Sequence, residues 1–213
     1  MAGFFLLSLK AVIQTASENH LTLKWKYLRL KQKPLMKKSA PAITIKKISP
    51  KDEIEFLGAA RASRTSHQAW VRVPLTVSAF KRYANEMRTA EDLAFVVRRH
   101  DSGAIVGVVE LQDIFMGDFK NAYIIYYAFE GQQRQGMMRQ AVTEVIRIAF
   151  STLKLHRLEA NIQPENKASK KLAKVCGFRK EGYSPKFLKK GGRWCDHERW
   201  ALLNPTDQQT EIK

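Results

Sequence analysis

Three things are scarce in this 213-residue chain: cysteine, long apolar runs and acidic side chains. The only cysteines are Cys176 and Cys195, in stretches that read as helix and strand, without metal-ligand spacing. That excludes a disulfide scaffold and points to a reduced, cytoplasmic protein. No apolar run reaches the roughly eighteen residues of a membrane-spanning helix, so no membrane partner is expected. No His/Cys cluster suggests a metal, and no Gly-x-Ser-x-Gly elbow suggests a hydrolase. Internal repeats and low-complexity blocks are absent too. Asp and Glu number 20 against 37 Lys and Arg, a net charge of +17. An excess of that size implies attraction to something acidic: a phosphate-rich small molecule, RNA, a ribosome or an anionic surface.

Hydrophobic residues at 45% and charged residues at 27% describe a globular chain, and the length suits one core with a tail. The start stands apart. "MAGFFLLSLKAVI" is briefly apolar, and "LKWKYLRLKQKPLMKKSAP" is strongly basic. Without a positive start or a small-residue cleavage site, a secretory signal fits poorly. A basic amphipathic targeting segment is one alternative, and a start at Met36 is another. Residues 1–40 are expected to form a poorly ordered basic extension without catalytic role. Residues 41–205 are expected to form the domain, and 206–213 a tail.

The domain opens on "AITIKKIS", which alternates like a half-buried strand. "SPKDEIEFLGAARASR" starts a helix with Ser49 as candidate cap, Pro50 at the first position and acids in the first turn. "TSHQAWVRVPL" breaks the pattern, and "TVSAFKRYANEMRTA" resumes it as a second helix. Three strands follow, "DLAFVVRRH", "AIVGVVELQDIF" and "AYIIYYAF", joined by turns as an antiparallel meander. Then come a long helix, the strand "HRLEANIQ", a short helix stopped by Gly177, and a hairpin around Gly191 and Gly192. This order gives a mixed α/β (α+β) protein with a mostly antiparallel central sheet flanked by helices.

The long helix and its approach, "GQQRQGMMRQAVTEVIRIAF", carry the first functional signal. Arg139, Gln140, Thr143, Glu144 and Arg147 form a polar stripe at helical spacing, and apolar residues fill the other face. An open helix N-terminus offers unpaired N–H groups and partial positive charge, a ready phosphate site. A basic surface loop that merely leads into a helix is the plainer alternative.

Three blocks resemble the GNAT acetyltransferases, in the branch of the Rim-type ribosomal-protein-alanine N-acetyltransferases. Gln133-Arg134-Gln135-Gly136-Met137-Met138 is similar to the family's acetyl-CoA loop. "HRLEANIQPENKASKKLAKVCGFRKEGY" is similar to its Asn-x-x-Ser helix with Gly-Phe and Glu-Gly-Tyr. The final "GGRWCDHERWALL" is similar to the branch's hairpin with Gly-x-Trp-x-Asp. The likeness runs from about Ala42 to Asn204. It departs at Met138, where the family usually has Gly or Ala, so that side chain is expected to lean towards the core.

The resemblance implies a GNAT fold and acetyl-CoA as co-substrate, with no metal. It implies a pyrophosphate cradle from Gln133, Arg134, Gln135, Gly136, Met137 and Met138, with Gly136 letting the backbone approach the ligand. Backbone N–H groups around Ala128 and Phe129 would face the acyl oxygen. Glu110 is the candidate carboxylate for taking a proton from the amine; an exposed strand Glu is the alternative. Ser169, in Asn166-x-x-Ser169, and Tyr183 are the candidate proton donors for the thiolate. Asn166 reads equally as a helix cap or a cofactor contact. His67, Trp70 and Asp196 fall where the branch places its substrate side.

The implied reaction is direct attack of an amine on acetyl-CoA. A protein α-amino group, with pKa roughly 8, is about one-tenth neutral at pH 7, so a water-mediated carboxylate suffices. A protein N-terminus, for example that of a ribosomal protein, is the expected acceptor, with ribosome association and a monomer or homodimer. A small amine such as a polyamine or amino sugar is the alternative substrate. A non-catalytic ribosome- or RNA-binding module is the alternative class.

Overall fold

The computed structural model describes residues 40–206. The expected N-terminal extension up to Ser39, with Met36, lies outside those residues, as do 207–213 of the tail. Strand β1 (Ile43–Lys47) is followed by a 3-10 turn at Pro50–Asp52, helix α1 (Glu53–Ala62), short helix α2 (Arg64–His67) and helix α3 (Val77–Glu86). The meander is β2 (Leu93–Arg99), β3 (Ile105–Phe115) and β4 (Asn121–Ala128). Helix α4 (Met137–Arg147) runs into a π-helical turn at Ile148–Thr152. Strand β5 (Arg157–Ile162), helix α5 (Lys167–Val175), β6 (Arg179–Lys190) and β7 (Arg193–Leu203) complete the described residues.

The strands form one sheet in the order β1-β2-β3-β4-β5-β7-β6. Every pairing is antiparallel except β4 with β5. The mixed, mostly antiparallel sheet expected from the sequence is the one present.

Both faces of the sheet are covered, which is why the central strands read as continuous apolar runs. On one face, α4 turns Met137, Ala141, Val142 and Val145 onto Val106, Val109, Leu111 and Ile124. On the other, Phe56 and Leu57 of α1 and Phe80 and Ala84 of α3 meet Val96, Val108, Tyr127 and Phe129. The stripes lie at i, i+4 and i+8 on α4 and at i, i+4 on α3, the spacing of a single helix face.

Ser49 and Pro50 begin the first helical region as expected, with the Asp52 carboxylate accepting from the Ser49 N–H at 2.8 Å. The stretch that reads as a break differs. Helix α1 ends where buried Ser63 returns its hydroxyl to the Ala59 carbonyl at 2.7 Å, and α2 restarts for one turn. Such a local side-chain bond interrupts a helix without apolar periodicity to announce it.

The feature that creates the site is a failure of pairing. β4 and β5 share a register only at Asn121 to Tyr123 with Arg157 to Glu159. β4 continues to Ala128 and β5 to Ile162. Beyond Tyr123 the two strands part and leave a wedge in the middle of the sheet. Backbone groups on its walls have no ladder partner, so they are available to a ligand.

Candidate active site

The Gln-rich loop runs from the end of β4 to the start of α4. It is braced from below: the Glu130 N–H donates to the Ser63 hydroxyl at 2.8 Å, and the Ser66 hydroxyl donates to the Glu130 carboxylate at 3.0 Å. Gln133 Nε2 reaches the same carboxylate at 3.3 Å. Gln135 folds back, donating to the Gly131 carbonyl at 2.9 Å and accepting from Arg99 at 3.1 Å. Arg134 is exposed and left-handed, with φ of 61°.

None of the backbone N–H groups from Gln133 to Met137 finds a backbone acceptor among the described residues. A row of unpaired N–H groups beside left-handed turns is an anion-binding concavity, so these residues fit a pyrophosphate. Gly136 caps α4 at φ 80°. A Cβ there would stand 2.8 Å from the Ala40 Cβ. The glycine therefore has two reasons within the protein itself, handedness and the approach of residue 40, besides any approach to a ligand.

The side chain of Met137 is fully buried, so it can serve a ligand only through its backbone. Met138 leans onto the sheet as expected and packs against the α4-side core. Its Sδ lies 3.0 Å from where a Cβ on Gly107 would be. Gly107 of β3 thus supplies the room that a methionine needs in place of Gly or Ala.

At the end of β4 the expectation is corrected in part. The Phe129 N–H donates to the Val106 carbonyl at 2.8 Å, and the ring is buried in the core. That N–H belongs to the sheet and cannot face an acyl oxygen. Strand alternation turns the neighbouring Ala128 N–H the other way, towards the wedge.

Glu110 is not an exposed strand carboxylate; it is buried. Tyr83 of α3 donates to it at 2.6 Å and Gln112 Nε2 at 2.7 Å. The Tyr127 hydroxyl stands 3.5 Å from that of Tyr83. Burial pushes the Glu110 pKa up from the ordinary carboxylate range, against the pull of these hydrogen bonds. A carboxylate whose pKa is raised is a stronger base than an ordinary one. Tyr83 is the residue that the sequence reading missed. Its signal was faint: a tyrosine beside Phe80, Ala84 and Met87 on a buried helix face, whose hydroxyl must find a partner.

His67 and Trp70 sit in a bridging segment. The His67 Nε2 donates to the Ala128 carbonyl at 2.8 Å, and the ring is 7% exposed. The carbonyl can only accept, so the proton is on Nε2, and Nδ1 is left buried without a partner among the described residues. His67 thus braces the end of β4 and is not an open contact. The Ala69 carbonyl accepts from Gln163, just past β5, at 3.0 Å. The Trp70 carbonyl accepts from Lys190 Nζ at 3.2 Å. One short segment therefore touches both sides of the wedge and the final hairpin.

Asn166 caps α5, accepting from the Ser169 N–H at 3.0 Å. The Tyr126 hydroxyl, from β4, donates to the Ser169 carbonyl at 2.9 Å and ties α5 to the opposite wall of the wedge. The Ser169 hydroxyl is half-buried, and among the described residues it has no hydrogen-bond partner in hand. Tyr183 is 48% exposed and donates to Asp196, which raises the phenol's pKa. Asp196 also accepts from the Lys186 N–H at 2.7 Å. Both of its oxygens are held inside the hairpin, so neither Tyr183 nor Asp196 is a free group.

A family model described as Acetyltransferase (GNAT) domain matches residues 42–179. The chain belongs to the GNAT acetyltransferase family. Acetyl transfer is the chemistry of this family, and acetyl-CoA its donor. The chain is 37% identical over 105 residues to the [ribosomal protein uS5]-alanine N-acetyltransferase of Escherichia coli K12. That match covers 49% of this chain and about half, 54%, of the relative. The structure of the ribosomal-protein-S5-alanine acetyltransferase from Vibrio fischeri superposes with a TM-score of 0.71 at 25% identity, over 76% of this GNAT chain and 93% of that one. Spermidine N-acetyltransferase from Vibrio cholerae, in complex with CoA and spermine, shares the fold at a TM-score of 0.66 and 20% identity, over 76% and 95% of the two chains. Among the described residues of this family member no cluster of His, Cys, Asp and Glu could hold a metal, and no helix is long and apolar enough to cross a membrane.

Proposed function

We propose that this GNAT enzyme acetylates the N-terminal α-amino group of a protein, with a ribosomal protein as the favoured acceptor and the cytoplasm as the place of action. Glu110 carries the reading: a buried carboxyl with raised pKa, held by Tyr83 and Gln112, on the face of the sheet that the His67–Trp70 segment overlies. An α-amine needs only a modest base, unlike a lysine side chain. The alanine N-acetyltransferase of E. coli supports the acceptor class.

In this scheme the unpaired N–H groups from Gln133 to Met137 hold the pyrophosphate of acetyl-CoA, and the Ala128 N–H faces the acyl oxygen. Glu110 takes the amine proton through a water. The amine nitrogen bonds to the acyl carbon as the carbon–sulfur bond breaks, and the thiolate takes the proton of the Ser169 hydroxyl as a solvent water returns one to that oxygen. Tyr183 is the less suitable donor, because its proton is committed to Asp196.

Purified protein, acetyl-CoA and a peptide beginning with alanine provide the test, read by mass spectrometry. Acetylation confined to the peptide's α-amine supports the proposal. Acetylation of lysine side chains or of spermidine alone overturns it.

A further inference from the structure

The seam between the His67–Trp70 segment and the last hairpin carries two cations without an ion-pair partner among the described residues. Lys190, at the end of β6, is half-buried and donates to the Trp70 carbonyl at 3.2 Å. Arg72 follows Trp70 by two residues, is exposed, and forms no ion pair among the described residues. Lys190 has no carboxylate within ion-pair distance among those residues either. The other half-buried cations among the described residues, Arg98, Arg99, Arg157 and Lys170, each have a carboxylate partner.

The two cations feel each other. Burial and the Arg72 charge both push the Lys190 pKa down, while Glu110 and Cys195 pull the other way. The segment that Lys190 grips reaches the carboxylate's side of the sheet: its His67 ring packs edge-on against Tyr127, 5.3 Å between centroids, and Tyr127 adjoins the Tyr83 hydroxyl that donates to Glu110. Two like charges at one seam, one of them partly desolvated, are unfavourable unless an anion arrives to share them. The Trp70 carbonyl holds the ammonium in place, and a carbonyl contributes no net charge.

We propose that Arg72 and Lys190 form an anion-recognising rim that selects acceptors whose amine is followed closely by a carboxylate. The inference rests on the proposed amine acetylation and names its preferred substrate. The amine goes towards Glu110 and the carboxylate towards the rim. An acidic side chain near a protein N-terminus supplies that carboxylate, and so does the terminal carboxylate of a very short peptide. A polycation such as spermidine meets the rim with the wrong sign.

The test compares acetylation of amidated Ala-Glu-Ala-Ala, Ala-Gln-Ala-Ala and Ala-Lys-Ala-Ala, of Ala-Ala as free acid and as amide, and of spermidine. The expected kcat/KM favours Glu over Gln by about tenfold, the scale of one charged hydrogen bond, with Lys lower still. The Glu preference shrinks as salt is raised. Ala-Glu-Ala-Ala best among all acceptors assigns the rim to a side chain; free Ala-Ala best assigns it to a terminal carboxylate. Arg72→Glu and Lys190→Glu should each erase or reverse the preference. If Lys190→Glu fails to fold, Arg72→Glu, at an exposed site, decides alone. Peptides acetylated regardless of charge, or a preference that survives Arg72→Glu, would overturn the rim and leave the N-terminal reading standing. Spermidine preferred over every peptide would overturn both.

Discussion

The Tyr83 hydroxyl donates to Glu110 Oε1 across 2.6 Å, joining helix α3 to strand β3 beside the wedge. This bond favours the charged carboxylate, while burial favours the neutral acid, and burial wins. In Tyr83→Phe the opposing bond is gone, so the Glu110 pKa rises further. The acid limb of the kcat/KM profile should move to higher pH. An unmoved limb would separate Glu110 from the reaction.

Glu110→Gln keeps the shape and can still accept from Tyr83, yet takes up no proton. Turnover should fall about a hundredfold, the scale of a lost general base, and the acid limb should vanish. Stability provides a second reading. Because the folded pKa is raised, the carboxyl's favourable contribution is present below its unfolded pKa and is lost as pH rises through the folded value. Thermal melts should show the parent losing stability over that window relative to Glu110→Gln.

Ser169→Ala should lower turnover by about a hundredfold, with little change in acetyl-CoA affinity, since its N–H still bonds Asn166. Tyr183→Phe should leave turnover within a few-fold of the parent, because that hydroxyl serves Asp196. The opposite ranking in a steady-state assay would give the acid role to Tyr183.

Gly136→Val should weaken acetyl-CoA binding strongly in calorimetry. The structure adds a control. A valine at φ 80° is strained, and its Cβ would press on Ala40. In the double variant with Ala40→Gly the second pressure is gone. Affinity restored by that change would locate the defect at residue 40 and not at the cradle.

Gly107→Ala should destabilise the fold by roughly 1–3 kcal/mol, the usual cost of overpacking. Its Cβ would stand 2.2 Å from the Tyr127 carbonyl and 3.0 Å from Met138 Sδ. Only the second contact can yield. Met138→Ala should therefore fail to restore the melting temperature fully; complete rescue would show that the sulfur, not the strand, was the obstacle.

The edge strand and the long helices were legible because each follows one period, two for "ITIKK" and three to four for the stripe from Met137 to Val145, and the central strands as short apolar runs bounded by turns. The loop-to-helix junction proposed as the cradle was legible from Gly136 and the residues around it. Three things were not. The gap beyond Tyr123 is an absence of pairing, and Ile124 to Ala128 are ordinary strand residues with nothing in them to announce it. The engagement of Phe129 with Val106 depends on strand register, which a single strand's sequence leaves open. The meeting of Tyr83 with Glu110, and of Met138 with Gly107, joins residues about thirty positions apart. Such pairs come from tertiary packing, not from local pattern.

The segment from His67 to Trp70 holds the end of β4 through Ala128, the end of β5 through Gln163 and the last hairpin through Lys190. A ligand that alters the spacing of the two strands must alter these bonds as well. On the proposed reaction, donor and acceptor sites would then share a mechanical coupling, and linkage would make it reciprocal: whatever the donor does to acceptor affinity, the acceptor returns in equal measure.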